Sequence, residues 1–389
     1  EGEEGVVCSL EQLSCFQAPA AAWETEFLPA RVRDYHVAQM DGLIQEGGVG
    51  WIGNEKRRVS FYIEPDYDLL FNDESDVERE TSEIETLFPD AQGRYDFMTL
   101  TKQTGLPAKA LSDRLWEGVW SSSIVNDSFG SVRKGLETQF EVPKIASQPS
   151  GSVRRTRRAS YGAWRGALPL PGNWFSVSPP EPPSDFLERE EKNKDRVRVL
   201  LDRYGILFRE LTAREAPSFR WSQIFRTLRL MELSGEVVAG YFFEGIMGPQ
   251  FASPKAFRML RQDKDGDSVY WMNATDPASL SGLQVDAVRG RYPKRLLSNH
   301  LVFKGDQLIA RFSRSGKEIK IDVPHDDERI TSYFGPLKHL LYRDVQPVRT
   351  VTIEKINGED AANSDYLDVL RTMFDVRMDY KTVMLYRQI

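Results

Sequence analysis

Between Arg203 and Pro254 the spacing of apolar residues and the placement of glycine and proline permit few folds. The stretch reads RYGILFRELTAREAPSFRWSQIFRTLRLMELSGEVVAGYFFEGIMGPQFASP, a pattern of helix, turn, helix and β-wing. Gly205 marks a helix end, and Ile206, Leu207 and Leu211 predict the apolar face of a short second helix. Ala216, Pro217 and Ser218 predict a turn with the serine as N-cap. From there Trp221, Ile224, Phe225, Leu228 and Met231 recur at helical spacing, which predicts an amphipathic helix over 219–234 that Gly235 ends. Glu236 to Phe243 is β-branched and aromatic, and a Gly/Pro-rich tip leads to a return strand at Gln250, Phe251 and Ala252. The remaining face of the 219–234 helix carries Arg220, Gln223, Arg226, Thr227 and Arg229. Guanidinium groups and an amide on a helix that precedes a wing suit phosphate contact and base-edge readout. A merely solvated helix face is the competing explanation.

At 389 residues the chain exceeds one typical domain. Its 40% hydrophobic and 28% charged content is that of a globular chain, and no apolar run approaches the ~20 residues of a membrane span. The opening EGEEGVV has neither an initiator methionine nor a signal peptide, as expected of a piece of something longer in a reducing cytoplasm. Cys8 and Cys15, seven residues apart on an amphipathic stretch, predict buried reduced thiols. His36, His300, His325 and His339 are scattered without metal-ligand spacing, so neither a metal nor a cofactor is expected. The net charge of −7 is unevenly spread: acids crowd 73–85, while Arg154, Arg155, Arg157, Arg158 and Arg165 lie together with no acid between them. Local sign decides contact with a polyanion, so the overall balance is a weak veto.

Taken in order, the chain divides into a winged-helix domain (1–70), an acidic linker (71–94) and a second winged-helix domain (95–140). A connector (141–183), a third winged-helix domain (184–262) and a final α+β domain (263–389) follow. In the second domain Thr104 to Pro107 separates two helices, with Leu111, Leu115 and Val119 inward and Trp116 and Trp120 completing the core. The connector interleaves arginines with Tyr161 and Trp164, followed by Trp174 and Phe175, a composition that grips a strand by phosphate contact and base stacking. A soluble tether is the alternative. From Leu296 to Val323 three alternating runs joined by glycine turns predict a small antiparallel barrel or sheet. The fold class is therefore α+β: tandem winged-helix domains followed by a small antiparallel β-barrel-like module.

The segments AAWETEFLPARV, TGLPAKALSDRLWEGVW, RYGILFREL, GPQFASP and NATDPASLSG, in this order, resemble the C-terminal region of the large helicase-related (Lhr) family of bacteria. The resemblance implies a motor core elsewhere in the same polypeptide; no GxxxxGK[ST] or DExH motif occurs here. It also implies tandem winged helices before a barrel-like module. The same region is similar to the AlkZ/YcaQ-type winged-helix DNA glycosylases, and the family has been linked to uracil excision. Those glycosylases use Gln-x-Gln or Gln-x-Asp. The nearest counterpart here is Phe208-Arg209-Glu210, with a carboxylate at its end, while Asp276 lies near their Ser-Pro-Phe-Asp type of turn. An acid close to the C-terminus is offered by Asp379 or Asp375.

Two functions follow. The first is a DNA-binding and assembly module of a DNA-repair helicase, gripping single-stranded or damaged DNA through Arg154, Arg155, Arg157, Arg158, Trp164, Arg220, Gln223, Arg226 and Arg229. The second is a glycosylase, in which Glu210, Asp276 or Asp379 stabilises an oxocarbenium ion or activates water beside a flipped base. Each acid has a plain alternative: Glu210 as a helical partner of Arg214, Asp276 as a turn-former before Pro277. Winged helices also join protomers, so a homo-oligomer is a third expectation.

Overall fold

The computed structural model describes residues 2–72, 87–90, 92–141, 170–262 and 266–388. Contacts divide them into two units, one of Glu1–Gln12, Ala22–Val37 and Asp185–Ile389, the other of Leu13–Ala21 and Ala38–Ser184. Among the described residues no helix is long and apolar enough to cross a membrane.

In the second unit, helix Val37–Gln45 precedes the hairpin Val49–Asn54/Arg58–Ile63, in which Trp51 lies opposite Phe61. Alternation turns both rings inward onto Phe129, at 5.8 and 4.9 Å. Helices Phe97–Thr104 and Ala108–Trp120 follow, broken at Gly105; Leu111, Leu115 and Val119 are buried as their spacing predicts. The adjacent sheet takes its middle strand from within the expected connector 141–183. Strand Asn173–Ser176 lies between Tyr95–Asp96 and Ile124–Asn126 and pairs with both. Trp174 is fully buried with its ring 5.4 Å from Trp116, so it belongs to the core and not to a gripping surface. The cysteine expectation holds for Cys15, which is buried, and not for Cys8, which is exposed.

In the first unit, helix Phe186–Tyr204 starts from an Asp185 cap and ends at Gly205, whose φ of 72° favours glycine. Beyond it, Ile206–Leu207 is not helical: it is a short strand paired with Phe251 and Ala252, and the helix is confined to Arg209–Thr212. Cross-strand partners override the helical spacing there. Ser218 sits inside the turn Pro217–Phe219, and the N-cap of helix Trp221–Leu233 is Arg220, with no side-chain cap. The C-terminal part contains the three predicted strands, His300–Lys304, Gln307–Ser313 and Glu318–Ile321. They lie in an open six-stranded sheet running from Val269–Asn273 to Glu359–Asp360, with Glu318–Ile321 parallel to Lys355–Ile356. Among the described residues this sheet does not close into a barrel. The hairpin Asp375–Met378/Val383–Tyr386, paired with Val351–Ile353, forms a separate three-stranded sheet. Phe312, Phe334, Leu337, Ile353, Leu370 and Leu385, all fully buried, fill the core of this part.

Because Trp174 is fully buried against the Trp116 ring, Trp174→Ala is expected to destabilise the protein by about 3–5 kcal/mol. A lowered urea midpoint would show it; an unchanged midpoint would place the ring outside the core.

Candidate nucleic-acid interface

Helix Trp221–Leu233 presses Ile224, Leu228 and Met231 inward, each at most 1% exposed. Thr227 joins them: it is fully buried, and its hydroxyl donates to Glu190 on helix Phe186–Tyr204 at 2.9 Å. This corrects its assignment to the outer face. Position 227 falls at i+3 from Ile224, so helical geometry turns it inward and a buried acceptor satisfies its hydroxyl. Arg220, Arg226 and Arg229 are exposed and Gln223 is partly buried. The Arg226 guanidinium lies 4.6 Å from the Phe186 ring, and Arg229 meets Glu232 at 2.6 Å along the same helix. The latter pair is open to solvent and holds Arg229 weakly.

Strands Val238–Gly240 and Gln250–Ala252 form the wing, completed by Ile206–Leu207 on the other edge of Gln250–Ala252. Phe251 touches Trp221 and Phe225 at ring distances of 6.0 and 6.3 Å, which sets the wing against the first turns of the arginine-bearing helix. Arg154, Arg155, Arg157, Arg158 and Trp164 lie outside the described residues.

The three carboxylates stand on different elements. Asp276 is 1% exposed and holds Arg31 in a two-pronged pair, at 2.6 and 2.9 Å, while the same carboxylate accepts the Ala278 N–H. Arg295 binds the carbonyls of Ala274, Thr275 and Asp276, so the turn is clamped from both sides. Glu210 is half-buried on the turn between Phe208 and Leu211, and its Oε2 is buried without a hydrogen-bond partner. Its expected partner is engaged elsewhere: Arg214 donates to the carbonyls of Ser279 and Ser281 at 2.7 and 3.2 Å. Burial, and then the charge of Arg295, push Arg214 down to about 10. Asp379 is exposed in the turn of the C-terminal hairpin and accepts the Tyr380 N–H.

A denser ionic cluster was not singled out from the sequence. Trp23–Phe27 is a single π-helical turn, and Glu24 and Glu26 within it are 3% and 2% exposed. Glu26 accepts from His300 Nε2 and from Arg343, both at 2.7 Å, and His339 Nε2 donates to the Thr25 carbonyl at 2.6 Å beneath the Trp271 ring. Glu24 accepts from the Tyr35 hydroxyl at 2.7 Å. The signal available in the sequence was two acids inside Trp-Glu-Thr-Glu-Phe-Leu, among neighbours that can only be core. Burial raises the Glu26 carboxyl, but His300, His339 and Arg343 together outweigh it and hold the group below the ordinary value. Burial pushes His339 down to about 4. Such an enclosed carboxylate ties the 23–31 segment to the sheet and to helix Gly335–Tyr342.

Two family models, each described as "Large helicase-related protein, winged-helix domain", match residues 187–272 and 1–64. Both segments are thus similar to winged-helix domains of the large helicase-related family. Two curated relatives align over nearly the whole chain. The "Lhr helicase/ probable uracil glycosylase" of Mycolicibacterium smegmatis is 27% identical over 94% of the chain. The "Lhr helicase/uracil glycosylase" of Escherichia coli is 26% identical over 95%. The chain spans about a quarter of the length of each. Among solved structures, the Streptomyces sahachiroi DNA glycosylase AlkZ superposes over 87% of this chain and 96% of its own, with a TM-score of 0.39 and 11% identity.

The Glu26 cluster makes stability fall in acid. The Glu26 carboxyl titrates lower in the fold than in the open chain, so its contribution is present above about 4.5 and is lost as pH falls further. His339 is neutral in the fold down to about 4, whereas an unfolded imidazole protonates near ~6.5, so stability also drops across that interval. The melting temperature is expected to decline steadily below pH ~6.5, less so in His339→Phe. Glu26→Gln should cost about 3–5 kcal/mol at neutral pH by leaving the largely buried Arg343 guanidinium unpaired. Equal pH profiles for wild type and His339→Phe would remove the imidazole from this account.

Proposed function

We propose that this chain is a DNA-binding region of an Lhr-type repair protein, in which helix Trp221–Leu233 lies in the major groove with the wing beside it. The observation that carries the reading is the exposed Arg220, Arg226 and Arg229, with partly buried Gln223 between them, at the cap and along a helix whose opposite face is buried. Arginines contact phosphates or the guanine edge, and Gln223 offers an amide to adenine. The helicase core of the relatives' names is, in this reading, the partner within the same polypeptide, and a second copy of the chain is a further one. Arg154, Arg155, Arg157 and Arg158 add a second basic stretch.

Replacing Arg220, Arg226 and Arg229 together by alanine is expected to weaken duplex binding by at least about 100-fold at low salt. The slope of log affinity against log salt should drop by about 2–3, since each phosphate contact contributes about 0.9. An unaltered slope with the fold intact would refute this interface.

A second reading, base excision, is favoured by one specific observation. Of the three candidate acids, Asp276 is consumed by Arg31 and Asp379 stands in open solvent, whereas Glu210 keeps a buried oxygen without a partner. A carboxylate so placed is available to stabilise an oxocarbenium ion once a flipped base reaches it. Alkali-labile sites should form on a uracil-containing strand and be lost in Glu210→Gln but not in Asp379→Asn. Full activity of Glu210→Gln would end that assignment.

A further inference from the structure

The tip of the wing is unlike the helix beside it. No lysine or arginine occurs from Leu230 to Pro254, and the one charge in the loop 241–249 is Glu244. Tyr241 and Met247 are 85% and 89% exposed, and Phe243 is 42% exposed. Yet the loop is firmly held. Gln250, fully buried at its base, accepts the N–H groups of Phe242 and Phe243 at 2.9 Å and donates to the Phe243 carbonyl at 3.0 Å. The Phe243 ring stands edge-on to Phe208, and Ile246 packs on the cluster of Phe208, Leu211, Leu283 and Val285. Gly248, with φ of 96°, turns the chain back. Tyr241 and Met247 thus project from a loop anchored on both sides, and presenting them costs little ordering entropy.

A tip of this composition gains nothing from a phosphate backbone, and Glu244 would be repelled by it. On a duplex brought in by the neighbouring arginines, the surface that rewards an aromatic ring and a thioether is the face of a base. We infer that the wing tip is a wedge for base pairs, with Tyr241 and Met247 entering an unstacked step at a mismatch or a single-strand/double-strand junction. This deepens the proposed function and rests on the helix interface described there. The loop then supplies preference for distorted DNA while the helix supplies general affinity, as the separation of cations from apolar groups requires.

The test uses the full chain and duplexes with 2-aminopurine beside a mismatch or at a fork. Wild type is expected to raise 2-aminopurine fluorescence, Tyr241→Phe to retain the rise, and the double variant Tyr241→Ala/Met247→Ala to abolish it. The double variant should lose about tenfold or more in affinity for the fork, given the stacking energy of an aromatic ring on a base, and stay within about threefold of wild type on continuous duplex. Both side chains are exposed, so the fold is not at risk. Binding with a normal salt slope but quenched 2-aminopurine overturns the wedge alone. Failure to bind any duplex overturns the underlying interface as well. If the double variant binds DNA as wild type does but loses self-association, the tip belongs to a protein contact and the wedge is refuted.

Discussion

The winged helix at 187–272 depends on one packing event, the seating of helix Trp221–Leu233 against helix Phe186–Tyr204. Ile224, Leu228 and Met231 are removed from water almost completely, at about 1.5–3 kcal/mol each. With that face fixed, the helical period leaves Arg226 and Arg229 no orientation but outward. Charged exposure here follows from apolar burial and needs no separate device. The wing is fixed by the same event, because Phe251 rests on Trp221 and Phe225.

Elsewhere in this unit, buried charge fixes the arrangement of segments. Arg203 and Glu215 pair at 2.7 Å with both side chains at most 1% exposed, Arg31 pairs with Asp276, and Glu26 gathers His300 and Arg343. Each pair bears a desolvation cost that its attraction roughly offsets, so none is a large net gain. What they enforce is uniqueness: each leaves an uncompensated charge if its segment is displaced. The Asp276 turn and the 23–31 segment are therefore held in one arrangement, and an acid employed in that way has little freedom for chemistry.

How much of this was legible in the sequence varied with what decided each feature. The helix–wing order, the buried spacing of Leu111, Leu115 and Val119, and the three strands between 300 and 321 follow from local periodicity, and the structure keeps them. Ile206 and Leu207 were misread as helical because their strand partners lie some 45 residues away, at Phe251 and Ala252. Trp174 reads as part of a tether because it follows a long run rich in Ser, Pro, Gly and Arg, while its ring partner Trp116 belongs to another segment. The barrel failed to close because Glu318–Ile321 takes Lys355–Ile356 as a parallel neighbour, and the sheet then ends at Glu359–Asp360. The acids at 24 and 26 were passed over for a related reason. The Glu26 partners His300 and Arg343 lie about 270 and 320 residues on, beyond the range of any spacing rule, and only the Glu24 partner, Tyr35, is near in sequence.

The acidic total charge has a constructive part in the proposed interface. Arg229 is paired with Glu232, and Arg198, on the adjoining helix, with both Asp195 and Glu236. A phosphate docking at Arg229 replaces a carboxylate that is already there, so the gain is an exchange and smaller than for a bare guanidinium. Contacts of this kind become favourable together, when the helix is correctly seated, and not one at a time along arbitrary DNA. In the proposed interface Arg220 and Arg226, which have no ion-pair partner among the described residues, would be the cations that meet the duplex first. Seating the helix fully, with Arg229 trading its partner, would then require the groove itself, and that difference separates a specific stop from non-specific sliding.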